Sequence, residues 1–250
     1  MSQQLFTYLL RLADDHLILG QRLGEWCGHA PTLEEDIGLA NIGLDLIGQA
    51  RTLYTYAGEV EGLGRDEDRL AFLRYERDYA NALLVEQPNG DFAVTIVRQL
   101  LFSAFMLPYW RALQGSSDAT LAAIAGKAVR EAEYHVRHSA EWVIRLGDGT
   151  PESHRRSQEA LERLWPYSGE LFEMDETTSA LAEAGVAPDA TALRDGWNAT
   201  LDRVLAEATL ARPKDGWMQT GGRAGRHSEH LGHILSEMQY LQRTYPNASW

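Results

Sequence analysis

Leucine and alanine recur at i, i+3, i+4 and i+7 through long stretches of this chain, while strict two-residue alternation is hard to find. Such a pattern lines apolar side chains along one face of a 3.6-residue helix and offers a β-sheet no face to bury. The predicted fold class is therefore all-α. A first helix covers about Gln3 to Cys27, with Leu5, Leu9, Leu12, Leu19 and Leu23 on one stripe, and Gly28 and Pro31 break it. Thr32-Leu-Glu-Glu offers a capping box for a second helix reaching about Glu61, which Gly62 and Gly64 end. Asp66 opens a third helical segment to about Glu86, stopped by Pro88-Asn89-Gly90. A fourth follows from about Asp91 to Gln114 and a fifth from about Ser117 to Leu146, closed by Gly147 and Gly149.

From Thr150 to Pro188 the periodicity weakens, and irregular packing is expected there. A regular helix resumes from about Asp189 to Arg212, a glycine-rich connector runs from Thr220 to Gly225, and a last helix covers about His227 to Tyr245. Four segments of about 24 to 30 residues joined by short connections suit an antiparallel four-helix bundle. The expected architecture is one ferritin-like domain over residues 1–250, with its bundle core at about 3–147 and further helices from 150 to 250 decorating it. A chain of 250 residues buries a sizeable core without disulfides, and its one cysteine, Cys27, can form none internally.

Charge narrows the function classes. The 23 basic and 36 acidic residues sum to −13, which argues against a nucleic-acid binder or a protein held on anionic lipid. The N-terminal Met1-Ser-Gln-Gln-Leu-Phe-Thr lacks a basic segment feeding an apolar run, so no secretory signal is read and a cytoplasmic location is expected. The longest apolar stretch, Leu100 to Trp110, is interrupted by Ser103 and Pro108 and reads as a buried core helix.

A ferritin-like bundle raises the question of a di-metal centre, which needs carboxylates on two helices and a Glu-x-x-His pair on each of two others. No glutamate in the chain is followed by histidine three positions later, and His-Glu-x-x-His is absent too. What remains is a polar line Asn41, Asp45, Gly48 and Thr52 on the second helix, with glycine where a histidine ligand is expected. A second stripe, Glu131, Tyr134, His135, His138 and Trp142, lies on the fifth. The ligand count falls short of six, and these stripes read as a hydrogen-bonded polar plug, with Arg51, Arg98 and Lys127 as cations available to neutralise a carboxylate. The competing reading is a self-contained di-metal oxidase with atypical ligands Asp45, Glu131, His135 and His138.

Other chemistry is thinly represented. There is no Gly-x-Ser-x-Gly elbow, Walker-type loop or Gly-x-Gly-x-x-Gly fingerprint, and Cys27 has no evident activating base. The connector Thr220-Gly-Gly-Arg-Ala-Gly-Arg ahead of a helix offers Arg223 and Arg226 to an anion such as a phosphate or CoA, or is a plain loop. His227, His230 and His233 repeat at i+3 and read as solvated or interface residues. The seven tryptophans, Trp26, Trp110, Trp142, Trp165, Trp197, Trp217 and Trp250, point to extensive packing or a subunit interface.

Five stretches carry a resemblance spanning nearly the whole chain: Gln21-Arg-Leu-Gly-Glu-Trp-Cys-Gly-His-Ala-Pro, Ala40-Asn-Ile-Gly-Leu-Asp-Leu-Ile-Gly-Gln-Ala-Arg, Leu84-Val-Glu-Gln-Pro-Asn-Gly-Asp-Phe-Ala, the connector Thr220 to Gly232, and Glu237-Met-Gln-Tyr-Leu-Gln-Arg. In these the chain resembles the PaaC family, structural components of bacterial phenylacetyl-CoA ring epoxidases, of ferritin-like fold. The resemblance implies a non-catalytic scaffold without cofactors of its own. The di-iron centre and phenylacetyl-CoA would sit in a sister subunit, PaaA, and a reductase with FAD and an iron–sulfur cluster would bring electrons from NADPH. It also leaves room for self-association of the isolated protein.

Overall fold

The computed structural model describes residues 2–246 and 248. Trp250 lies outside the described residues. Among them are eleven α-helices, a few 3-10 turns and no strand, so the protein is all-α, consistent with a ferritin-like helical bundle. The chain divides into two compact units, one of residues 1–88 with 221–250 and one of residues 89–220.

The first unit is built on a hairpin of α1 (Ser2–Gly24) and α2 (Leu33–Glu61). Thr32 caps α2 by accepting from the Glu35 amide, and three acidic residues, Glu34, Glu35 and Asp36, fill its positively polarised first turn. Gly62 ends it in the left-handed conformation at φ 71°. The two helices approach closely at Gly20 and Gly43. A Cβ on Gly20 would stand 2.9 Å from Ile47 Cγ1 and 3.2 Å from the Gly43 carbonyl, so this crossing requires glycine.

The segment expected to be one helix from Asp66 to Glu86 is not one. It forms α3 (Glu67–Phe72), a 3-10 turn at Glu76–Asp78 and the single turn α4 (Leu83–Glu86), with extended backbone between. Asp66 caps α3 as its position suggested. Beyond Leu73 the backbone amides of Ala80 and Ala82 donate to buried carboxylates on α1, at 2.8 and 2.7 Å. A continuous helix would have spent those amides internally.

In the second unit α5 (Phe92–Leu113) is the core helix, capped by Asp91 and buried along almost its whole length. It is long and apolar enough to cross a membrane, yet most of it is enclosed by protein, which agrees with the core-helix reading of Leu100 to Trp110. Beside it lie α6 (Ala119–Gly147), capped by Asp118, and α7 (Pro151–Leu164), capped by Thr150 and Ser153 in a reciprocal pair. Residues 150–164 are thus more regular than expected, because a proline at the first helical position and this capping box start a helix that the weak periodicity concealed.

After α8 (Glu176–Glu183), the helix expected from Asp189 to Arg212 is a 3-10 turn at Ala190–Leu193 followed by α9 (Arg194–Glu207). Its end is set by Thr209, which takes φ 57°, and by Gln158, whose amide pairs with both backbone groups of Ala211 at 2.9 and 3.0 Å. Trp197 on α9 is fully buried, donates to the Leu101 carbonyl at 3.0 Å, and meets Trp165 and Phe172 with ring centres 5.4 and 5.3 Å apart. Trp110 and Trp165 are also core residues, whereas Trp217 is 76 % exposed.

The last helix, expected from His227 to Tyr245, is broken at Gln239 into α10 (Glu229–Met238) and α11 (Tyr240–Thr244), both in the first unit. The buried Gln239 side chain donates to the carbonyls of Ala71 and Arg74, each at 3.1 Å, and the chain turns to keep it there.

Candidate functional site

The most concentrated ionisable chemistry in the molecule lies in the first unit, on three consecutive residues in the middle of α1. Asp14, Asp15 and His16 are all essentially inaccessible to water. Carboxylates in such a place are tolerated only when fully paired. Asp14 accepts from the Tyr54 hydroxyl, from both terminal nitrogens of Arg74 (Nη1 at 3.1 Å) and from the Ala80 amide at 2.8 Å. Arg74 also donates to the carbonyls of Leu70 and Asp78 at 2.6 and 2.9 Å, and its guanidinium lies 4.2 Å above the Tyr79 ring. Burial works against the charge on Arg74, and the Asp14 carboxylate outweighs it, holding the guanidinium more firmly protonated than in water. Burial likewise pushes the Tyr54 and Tyr79 hydroxyls up.

Asp15 is gripped from the far end of the sequence. Arg223 donates to its two oxygens at 2.9 and 2.7 Å, and the Ala82 amide donates at 2.7 Å. Burial raises the Asp15 carboxyl, with Arg223 opposing it. A third carboxylate, Glu86 on α4, accepts from Asn81 Nδ2 at 2.9 Å, from His227 Nδ1 at 2.8 Å and from the Ser228 amide at 2.6 Å. Its own carbonyl receives Arg22 at 2.8 Å. Every oxygen of the three carboxylates accepts at least one hydrogen bond from the protein, so the cluster joins segments distant in sequence.

The connector read as a possible anion site takes its glycines for another reason. A Cβ at Gly222 would collide with the Asn81 carbonyl, and one at Gly225 with the Arg77 carbonyl, so the loop lies backbone against backbone. Arg223 is engaged with Asp15 and with the Ala80 carbonyl at 3.1 Å, which favours the connecting-loop reading of this segment over the anion-site one. Arg226 is exposed. His227 is an enclosed partner of Glu86 and not a solvated residue, while His230 is half-buried and His233 is exposed.

The residues of the two polar stripes are placed as follows. On α2, Asn41 and Thr52 are exposed, Asp45 and Gly48 are half-buried, and the buried polar residue is Gln49. Beyond its own turn of helix, nothing among the described residues stands within 4 Å of where a Gly48 Cβ would be. Arg51 points to Glu67 at 3.1 Å. On α6, His135 and His138 are buried, Glu131 is half-buried, and Tyr134, 37 % exposed, rests its ring against both histidines at 6.3 and 5.9 Å. Lys127 Nζ stands 3.9 Å from Glu131, and Arg98 donates to Asn89 Oδ1 at 2.6 Å. Between α5 and α6, Ser103 and Ser139 share a hydrogen bond at 3.2 Å.

Among the described residues no group of three or more His, Cys, Asp or Glu is placed to hold a metal ion. Together with the missing Glu-x-x-His pairs, this donor set does not fit a di-metal centre. Two hollows of the first unit, about 470 and 440 Å³, lie along α11 and are lined by none of the stripe residues.

The buried cluster itself escaped the sequence reading. Its signal was an Asp-Asp-His triplet amid Leu12, Ala13, Leu17, Ile18 and Leu19, where a charged pair on an otherwise apolar helix demands partners. Those partners lie up to 208 positions away, beyond any local pattern.

Comparison with known proteins gives a full-length result. The family model described as phenylacetic acid catabolic protein matches residues 1–250. The C subunit of the 1,2-phenylacetyl-CoA epoxidase of Escherichia coli (strain K12) is 53 % identical over 247 residues, covering 99 % of each chain.

Proposed function

The chain belongs to the phenylacetic acid catabolic protein family, and on that premise we propose that it is a non-catalytic structural subunit of a multicomponent phenylacetyl-CoA epoxidase, supporting the di-iron subunit PaaA. A role in phenylacetate catabolism rests on the family and on the epoxidase relative, whose name as one subunit entails further subunits of the same enzyme. That 53 % match over nearly the whole of both chains is the observation that carries the reading. The donor chemistry supports it, since Asp45 and Glu131 are followed three positions later by Gly48 and Tyr134 and not by histidine.

The surface of α2 supports a partner. Leu33, Ile37 and Leu44 are 73, 54 and 66 % exposed and share one stripe at i, i+4 and i+11. Covering such a stripe with a second helical subunit contributes about 25 cal/mol per Å² of apolar surface removed from water. The scaffold would then fix helices that carry the partner's ligands. A cytoplasmic location suits the exposed thiol of Cys27.

Co-expression with the di-iron subunit, followed by mass measurement and metal analysis of each chain, tests the proposal. The expected result is a stable assembly with iron in the partner only. Ile37→Asp with Leu44→Asp should cut its yield at least tenfold and leave the melting temperature of the isolated chain in place. Two irons bound to this polypeptide, with oxygen consumption by it alone, would establish the rival di-metal oxidase built on Asp45, Glu131, His135 and His138.

A further inference from the structure

Residues 221–246 fold back onto elements from the start of the chain through three sets of polar contacts. Arg223 is bidentate on Asp15, His227 sits between Glu86 and Tyr79, and Gln239 and Arg243 reach the Arg74 carbonyl at 3.1 and 2.8 Å. Only His227 among these carries a proton whose loss falls near neutral pH.

The His227 side chain is wholly enclosed. Nδ1 lies 2.8 Å from Glu86 Oε2 and Nε2 lies 2.9 Å from the Tyr79 carbonyl oxygen. Both neighbours are acceptors. The carbonyl has no proton to give, and Glu86 already receives the Asn81 amide and the Ser228 N–H. A neutral imidazole owns one N–H and one lone pair, so either tautomer sets a lone pair against an oxygen. Only the doubly protonated ring donates on both sides. Charge counting agrees: the three carboxylates Asp14, Asp15 and Glu86 are balanced by Arg74, Arg223 and a cationic His227, and loss of one proton leaves the buried cluster with uncompensated negative charge.

We propose that residues 221–246 form a protonation-controlled clasp, held closed by a doubly protonated His227 that bridges the Glu86 carboxylate and the Tyr79 carbonyl, and released as the ring loses one proton on the alkaline side.

The helix that follows the ring packs against α1, α4 and the 3-10 turn Glu76–Asp78. The ionisable groups on these elements include Asp14, Asp15 and Arg22 of α1, Glu86 of α4, and Glu76, Arg77 and Asp78 of the turn, and of these Glu86 and Asp14 act on the ring. Burial by itself disfavours the charged ring, and the hydrogen bond and charge of Glu86 outweigh it, with help from the Tyr79 carbonyl and Asp14. His227 therefore keeps its proton above the ordinary value of 6.5. A group raised on folding contributes stability in full below its unfolded value and loses it as pH climbs through the folded one. Asp15 is raised too and acts in the same sense from a far lower starting point, so removing the His227 ring separates the two.

The test uses the full-length chain. Long-range ¹H–¹⁵N spectra follow the His227 ring from pH 6 to 10, and hydrogen exchange, corrected for the intrinsic amide rate, follows opening of residues 221–246. The expected result is an imidazolium at pH 7 that loses one proton at higher pH. From the ordinary value of 6.5 up to that point the opening constant of the clasp should rise as much as tenfold per pH unit and then level off, while the middle of α2 stays closed. His227→Gln should open the clasp already at pH 7 and abolish its pH dependence. A singly protonated ring at pH 7, a pH-independent opening constant, or the same pH dependence in His227→Gln would overturn the proposal. If that variant does not fold, the wild-type ring titration and exchange profile decide it.

Discussion

The two units solve the problem of a stable interior with different materials. The first carries a buried lattice of three carboxylates, two arginines and a histidine, in which each charge meets a partner from another part of the sequence. In the second, Phe105 meets Phe172 and Phe172 meets Trp197 edge to face while Trp165 lies tilted against Trp197, with ring centres 5.1 to 5.4 Å apart, and buried hydrogen bonds such as Trp197 to the Leu101 carbonyl and Ser103 to Ser139 join neutral groups. Aromatic packing is non-directional enough to accept volume-conserving changes, whereas an ionic interior accepts only complete sets of partners. The ionic unit thereby holds residues 221–246 in one place, because no other segment supplies both Arg223 and His227.

The comparison breaks most easily at Arg74. Arg74→Met strands the Asp14 carboxylate in the interior and should cost about 3–5 kcal/mol in urea unfolding. The double change Asp14→Leu with Arg74→Met should recover most of that loss, since it removes the charge along with its partner. A double variant as unstable as Arg74→Met would mean that the pair acts by packing alone.

A smaller effect is expected in the aromatic unit. Trp197→Phe keeps the ring contacts with Trp165 and Phe172 and gives up the indole hydrogen bond to Leu101, at a cost of about 1–2 kcal/mol by calorimetry. A loss as large as that of Arg74→Met would erase the distinction between the two interiors.

The smallest effect sharpens the contrast from outside. Arg155 bridges Glu152 and Glu159 on the exposed face of α7 at 2.7 to 3.1 Å, and together with Arg156 holds the Glu152 carboxyl down to about 2. That contribution is present above the ordinary glutamate range and lost only as pH falls through about 2, and solvent and salt screen it. Arg155→Ala should leave the melting temperature at pH 7 unchanged within error. A clear drop would show that exposed ion pairs here act as the buried ones do.

Local signals in the sequence were reliable wherever the chain decided its conformation by itself. Thr32, Asp91 and Asp118 are caps at the expected helix starts, and Pro88-Asn89-Gly90 turns the chain, with Gly90 at φ 58°. The breaks within residues 66–86 and at Gln239 were not legible, because there the backbone serves Asp14, Asp15 and Gln239, whose demands come from other helices.

The all-α class, the long helices and the lack of Glu-x-x-His pairs follow from residue order alone, since helical periodicity and ligand spacing are local properties of a 3.6-residue turn. The pairing of Asp15 with Arg223 and of Glu86 with His227 belongs to the tertiary structure. A buried charge has no preference for any particular stretch of chain, only for whichever opposite charge folding brings within about 3 Å of it.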